Sequence, residues 1–288
     1  MRKVGSLEEY YALVNEAKSR CGSLKTNCML FPDSLDRYIQ LGRLLWEELD
    51  AGVMFYSDEE TFYQAYFHIN PSLPFSVSRK DKPVLLQNVY KGEKRPWVLD
   101  MEKALQGSGF VLQDTLMHGV VPDDSHVQQI RKTARLIERV FQKEGLTYAK
   151  LRRDQIPEML AFRKTIDEIP FYEFPYFTDD ELMEEAEAER LCCITDRDGR
   201  IIGARHLIVN GKKAYGWVGV EEKYKTLYGV ATMFLLHAFD YFHANGVKMC
   251  AWVKSTNTPS LQYHERLGME WTGHMEDEWL LDGTGSNG

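Results

Sequence analysis

The sequence predicts a mixed α/β fold, an α+β arrangement in which a mostly antiparallel twisted sheet is flanked by helices. Three observations predict it. Residues 146–282 read in the order β-α-α-β-β-β-α-β-α-β. Two of the strand connections, DRDG and NGKK, are tight polar turns of the kind that join antiparallel neighbours. One helix, 229–245, is apolar on more than one side and lies between two strands, as a right-handed crossover sandwiched against a sheet requires.

The elements follow in order. Residues 7–20 (LEEYYALVNEAKSR) form an amphipathic helical pattern, and 34–49 (SLDRYIQLGRLLWEEL) a second, with Asp33 or Ser34 as its cap. AGVMFYS and TFYQAYFHI read as strands turning at DEE, and PSLPFSVSRKDK as a loop. PVLLQNVYK reads as a strand, WVLDMEKALQG as a helix and GFVLQDTLMHGV as a strand. Residues 124–144 read as a helical connector capped by Asp124 or Ser125. Beyond it LTYAKLR is a strand, QIPEMLAFRKTI a helix, IPFYEFPYF an aromatic loop and DDELMEEAEAER an acidic helix. LCCITD, RIIGARHLIV and AYGWVGVEE make a meander. The apolar helix stops at Asn245-Gly246, and VKMCAWV is the next strand. In NTPSLQYHERLGM, Asn257 or Thr258 serves as N-cap, Pro259 fits the first helical position and Gly268 sits just past the end. That places a short helix over 259–267, followed over 269–281 by a strand pair or one bent strand.

A chain of 288 residues, 44% hydrophobic and 27% charged, has the material for two cores. The expected division is 1–122, a connector at 123–145, and 146–288. No apolar run approaches the ~18 residues of a membrane span, and MRKVGSLEEYY has no signal-peptide core, so a cytoplasmic protein without membrane association is expected. A net charge of −8 speaks against a broad nucleic-acid-binding face, while leaving room for a local basic pocket for a phosphorylated cofactor. The five cysteines form no CxxC pair, and the eight histidines form no HxxxH or HxH, so no metal site is expected. Cys192 and Cys193 read as core filler rather than nucleophiles.

The order and connections of 146–282 resemble the GNAT acyltransferases, and three stretches carry the likeness. The turn Thr226-Leu227-Tyr228-Gly229-Val230-Ala231 aligns with the family's Q/R-x-x-G-x-G/A, matching at Gly229 and Ala231 but not at Thr226, which has Lys225 beside it. The helix stop Ala244-Asn245-Gly246 precedes a strand, as in the family. Asn257, Ser260 and Leu267-Gly268-Met269 match N-x-x-A/S and L-G-F in spacing, with Met for Phe. The first half has a helix ending at Gly109-Phe110 before a strand and no glycine-rich turn. It resembles a second, degenerate and non-catalytic GNAT-like domain.

The resemblance implies an N-acyltransferase. An acyl group, acetyl by default, would pass from acyl-CoA to an amine of a small molecule or peptide by direct attack, in a monomer or homodimer. Thr226, Tyr228, Gly229, Val230, Ala231 and Thr232 would meet the pyrophosphate at a helix N-terminus, with Lys225 and Lys223 adding charge. Val218, Gly219 and Val220 would lie along the pantetheine arm, flanked by Asn257 and Ser260. An N–H aimed at the thioester oxygen is worth on the order of 10²–10³ in rate. The aligned leaving-group acid is His264, with Tyr263 one step away in register, and Glu221 is the candidate base. Phe171, Tyr172, Glu173 and Tyr176 of the aromatic loop would wall the acceptor site. Plainer readings stand beside these: a tight strand-to-helix turn, a central strand with one glycine, a surface histidine, a solvated acidic pair, a loop packed on the first domain. Two other functions also stay open. One is a non-catalytic acyl-CoA- or partner-binding protein on the same fold. The other is a tandem-domain transferase with a carrier- or tRNA-bound donor.

Overall fold

The computed structural model describes residues 1–28, 30, 32–59, 61–122, 128, 131–166, 177–225 and 229–284. The helices are α1 (Leu7–Cys21), α2 (Pro32–Gln40), α3 (Pro96–Gly107), α4 (Ala134–Glu144), α5 (Ile156–Ile166), α6 (Asp179–Glu187), α7 (Glu222–Lys225), α8 (Val230–Asn245) and α9 (Thr258–Arg266). The strands are β1 (Arg2–Lys3), β2 (Lys25–Thr26), β3 (Leu44–Leu49), β4 (Gly52–Asp58), β5 (Tyr63–Ile69), β6 (Val84–Lys91), β7 (Val111–Val120) and β8 (Thr147–Lys150). They continue with β9 (Leu191–Thr195), β10 (Ile201–Asn210), β11 (Lys213–Val220), β12 (Lys248–Lys254) and β13 (Glu270–Leu281). The chain forms two compact units. One comprises Met1–Met117, Lys254–Thr256 and the chain from Gly273 onward; the other comprises His118–Val253 and Asn257–Thr272.

In the first unit β1, β3, β4, β5, β6 and β13 follow one another across the sheet. Every neighbouring pair is antiparallel except β5 with β6. The core lies where α3 covers the sheet: Met101 and Leu105 pack with Met54, Phe67, Leu86, Trp279 and Leu281. The helix expected over 34–49 ends at Gln40, and 44–49 is strand β3. Gly42, with φ of +65°, takes the chain out of the helix in a left-handed step that glycine adopts without strain. LLWEEL then alternates, burying Leu44 and Trp46, and its backbone pairs with β4 from Leu44↔Ser57 to Leu49↔Gly52. Tertiary pairing overrides a helical propensity that Leu, Trp and Glu do not oppose. Of the two options for 269–281, the chain takes a single strand, β13.

In the second unit β12, β11, β10, β9 and β8 lie in that order, antiparallel except for β11 with β12. One face packs on α5 and α6 through Met159, Phe162, Leu182, Cys193, Ala204 and Trp217. The other packs on α8, with Leu235 and Phe239 against Ala214 and Leu207. Cys192 and Cys193 are each 1% exposed, and burial pushes the Cys193 thiol up to about 12, consistent with core filler.

A polar cluster is set into the α6 face of this unit. Glu185 on α6 receives Arg190 Nε and Nη2 at 2.7 Å each and lies 3.3 Å from Nε2 of His206, itself 3% exposed. Burial raises the Glu185 carboxyl, but the hydrogen bonds from His206 and Arg190 outweigh it and hold the group at about 2, below the usual 4.5. A carboxyl depressed by folding stabilises the native state above its unfolded value and loses that contribution as pH falls toward the folded one. Glu185→Gln should therefore lower stability at pH 7, with the gap from wild type closing between pH 4.5 and 2. Urea denaturation across that range measures it, and a gap independent of pH would refute the assignment.

Candidate active site

The candidate site begins where two strands part. β11 and β12 share three parallel pairs, Lys213↔Lys248, Ala214↔Met249 and Tyr215↔Cys250, and there the ladder stops. On its other edge β11 stays paired with β10 along its whole length, from Asn210↔Lys213 to Gly203↔Val220. Backbone groups of successive residues in a strand point to opposite edges. Lys248 N–H donates to Lys212 C=O at 2.9 Å, so even-numbered residues of this stretch face β12. Glu221 N–H donates to Ile202 C=O at 2.9 Å, so odd-numbered ones face β10. The C=O of Gly216 and the N–H and C=O of Val218 and Val220 therefore face the gap with no ladder partner among the described residues. Of the three residues expected along a pantetheine arm, Val218 and Val220 present backbone groups to the opening. Those of Gly219 are committed to β10 opposite Ala204.

Helix α8 begins close behind in the chain. Gly229 is its N-cap, with φ of +93°, and a Cβ there would lie 2.8 Å from Ile137 Cγ1. Backbone conformation and packing both demand glycine. The first intrahelical bond is Met233 N–H to Gly229 C=O at 2.8 Å. The N–H groups of Val230, Ala231 and Thr232 precede it, and no side chain caps them. Such an end carries a partial positive charge and receives anions. Lys225 and Lys223 stand on α7 just before it, Lys225 paired with Glu222 at 2.7 Å and Lys223 lying 3.7 Å from Glu221. Thr226 and Tyr228 lie outside the described residues, as do Phe171, Tyr172, Glu173 and Tyr176.

Helix α9 starts one residue earlier than its sequence pattern implies. Asn257 is the cap, its Oδ1 accepting from Ser260 N–H at 3.1 Å, so both residues serve the helix start. His264 Nδ1 lies 2.8 Å from the Ser260 carbonyl, which can only accept, so Nδ1 carries the proton and Nε2 the lone pair. Burial lowers the His264 pKa, opposed in part by that carbonyl. At neutral pH this side chain is a proton acceptor, not the acid the alignment implies. Tyr263 is 37% exposed, yet the protein around it pushes its phenol up to about 12, so it keeps its proton. Glu221 is gripped by Arg200 through both carboxylate oxygens, and those hydrogen bonds lower its pKa. An ion-paired carboxylate is a weak base, which counts against the role expected of Glu221.

Sequence reasoning misses one group altogether. Tyr215, where the ladder ends, places its hydroxyl 3.4 Å from His118 Nε2. His118 is 5% exposed, its Nδ1 is 2.9 Å from Thr272 Oγ1, and that hydroxyl donates to the His118 carbonyl at 3.2 Å. Tyr215, His118 and Thr272 thus form one chain of polar contacts, and the Tyr215 hydroxyl also meets the Cys250 sulfur. Trp252 packs on the same imidazole, 4.8 Å between centroids. Tyr215 and Trp217 share one face of β11 by alternation. Nothing in the sequence joins His118 to Tyr215 across 97 residues; only the sheet does. Among the described residues no cluster of three or more His, Cys, Asp or Glu is placed to hold a metal, and no helix is long and apolar enough to cross a membrane.

Replacing Gly229 by alanine isolates the demand at the start of α8. A non-glycine residue in the left-handed region costs about 1–2 kcal/mol before any clash. Gly229→Ala should destabilise the protein by at least that much in chemical denaturation, because Ile137 is 0% exposed and has no free space to yield. An unchanged midpoint would show that the turn relaxes.

Residues 153–269 match the profile of the Acetyltransferase (GNAT) family. No curated protein matches the chain. Among solved structures, a Drosophila protein is 13% identical, covers 99% of both chains and has a TM-score of 0.50. The GCN5-related glucosamine N-acetyltransferase region of a fungal multi-domain GH3 β-N-acetylglucosaminidase is 14% identical, with a TM-score of 0.50, over 80% of this chain and 31% of that one. A GCN5-related N-acetyltransferase of Sphaerobacter thermophilus is 13% identical over 80% of this chain and 77% of that one, with a TM-score of 0.47. Identities of this size speak to the fold alone. The strand order, the parted parallel pair, the glycine-led helix and the matched profile agree, and through residues 153–269 this chain carries a domain of the GNAT acetyltransferase family.

Proposed function

We propose that the second unit transfers an acyl group, acetyl by default, from acyl-CoA to an amine of a small molecule or peptide within a ternary complex. One observation carries this reading. The β11–β12 ladder ends at Tyr215, and backbone groups of Gly216, Val218 and Val220 face the gap in a chain that goes on to the uncapped start of α8. An extended arm with amide groups, such as pantetheine, can complete that strand edge, and its pyrophosphate can lie on the N–H groups of Val230, Ala231 and Thr232.

The amine attacks the thioester carbonyl; the C–N bond forms and the C–S bond breaks. An N–H of Val218 or Val220 stabilises the developing oxyanion. The proton lost by the amine goes to Nε2 of His264, and the departing thiolate takes one from Tyr263. The acceptor lies on the β11 face that carries Trp217 and Tyr215, whose aromatic rings suit a partly apolar amine. No enzyme nucleophile is used, so no covalent intermediate forms.

Thermal unfolding with acetyl-CoA, longer acyl-CoAs and free CoA tests the donor site. Ligand at about 100 times its Kd adds about 2.7 kcal/mol to the folded state. A rise graded by acyl length selects the donor; no rise with any of them sinks the reading. Amine-dependent thiol release then separates turnover from binding alone. Tyr263→Phe should lower kcat by about 10²–10⁴ with KM for acyl-CoA unchanged. His264→Gln should abolish the fall in rate at acidic pH, a fall that in wild type occurs below the usual histidine value of 6.5. A Tyr263→Phe enzyme with full kcat removes that residue from the mechanism.

A further inference from the structure

The first unit contains a second parallel ladder of three pairs, Tyr63↔Val84, Gln64↔Leu85 and Ala65↔Leu86. The order around it resembles that of the second unit in its first strand, two helices, antiparallel meander, parallel partner strand and following helix, but β5 reaches β6 through residues 70–83 without a helix, where the second unit inserts α7 and α8. Here too the ladder stops while the strand runs on, from Tyr66 to Ile69. Tyr63 N–H donates to Pro83 C=O at 2.8 Å, so odd-numbered residues of β5 face β6. Backbone groups of Phe67 and Ile69 thus point past the end of the ladder, into a gap placed like the one beyond Tyr215.

This gap is filled by the protein's own chain. Lys25 and Thr26 form β2 and pair antiparallel with Ile69 and His68 of β5. Asn27 follows, and its amide bridges both lips. Nδ2 donates to Ala65 C=O at 3.1 Å and to Gln87 C=O of β6 at 2.7 Å, while Oδ1 accepts from Phe67 N–H at 2.7 Å. A side-chain amide has two donor hydrogens and one acceptor oxygen, and all are used. Phe67 is 0% exposed and lies beyond the ladder, so without this cover its N–H would be buried and unmatched.

We infer that the first unit holds a second groove of the acyl-CoA type, closed in cis by Lys25–Asn27, so that a pantetheine-bearing ligand enters only when that strap is released. The inference rests on reading the second-unit gap as an acyl-CoA groove. The strap offers the strand edge the same extended amide pairing that a pantetheine arm would, but as part of the same molecule, and so at a high effective concentration.

Calorimetric titration of the full chain with CoA, alongside amide exchange at Phe67, tests this. Wild type should bind one CoA per chain, with the Phe67 amide protected. Asn27→Ala removes the bridge. Asn27→Asp keeps an acceptor for Phe67 but loses both donors, and so serves if the alanine variant fails to fold. Either variant should exchange Phe67 at least tenfold faster and bind one CoA more than wild type, more weakly. Two CoA sites in wild type would overturn the inference. So would a folded variant with an exchanging Phe67 amide and no added site. If wild type binds no CoA, the function proposed for the second unit fails, and the strap is judged on the variants alone: one new site supports it, and none refutes it.

Discussion

Two parallel strands share hydrogen bonds only while they run about 4.8 Å apart. Once they diverge, every N–H and C=O on the facing edges needs another partner or water. Divergence after Tyr215 sets the terms for the rest of the second unit. β11 must be held from its other side, and its unbroken ladder with β10 does this. Gly203 on β10 has Phe234 of α8 so close that a Cβ would lie 3.1 Å from its ring, so helix and sheet are locked at the same level. The edge left over is held from behind by the β10 ladder and by α8. That suits a binding edge, which gains most when its donors are already in place.

Proton positions in the candidate site follow from equally local causes. His264, half-buried, has its pKa lowered by that burial against a carbonyl of its own helix that raises it and fixes the tautomer. Glu221 is ionised because Arg200, across the β10–β11 hairpin edge, binds both its oxygens. Tyr215 is held above its usual value by burial and by the Cys250 sulfur, and its hydroxyl also lies 3.4 Å from His118 Nε2. Charge and burial thus separate a lone pair at His264 from phenolic protons at Tyr263 and Tyr215. Environments that push neighbouring titratable groups apart are what acid–base chemistry at one pH requires.

Much of this was legible in the residues. Asn257, Pro259 and Gly268 mark the limits of α9 through capping chemistry that works locally, and the apolar run 229–245 can be buried only as a helix. Gly229 was legible as a necessary glycine, though its left-handed φ and the nearness of Ile137 account for it without any ligand. Leu44–Leu49 was not legible as a strand, since only β4 tells it from a continuation of α2. Neither were the His118–Tyr215 contact and the reach of Asn27, which depend on register across the sheet. Two residues of β2 are too few to carry any periodicity.

The last strand has a consequence for how the molecule is made. β13 pairs with β6 over eight residues, from His274↔Lys91 to Leu281↔Val84, and supplies Trp279 to the core of the first unit. Asp277, fully buried, receives Thr115 at 2.7 Å and Lys94 at 2.6 Å, and lies 187 residues from its other partner, Tyr90. During synthesis, then, β6 emerges long before β13, the strand that closes its sheet. In that interval Lys94 lacks its buried counter-ion and β6 presents a bare edge, an open template for stray strands.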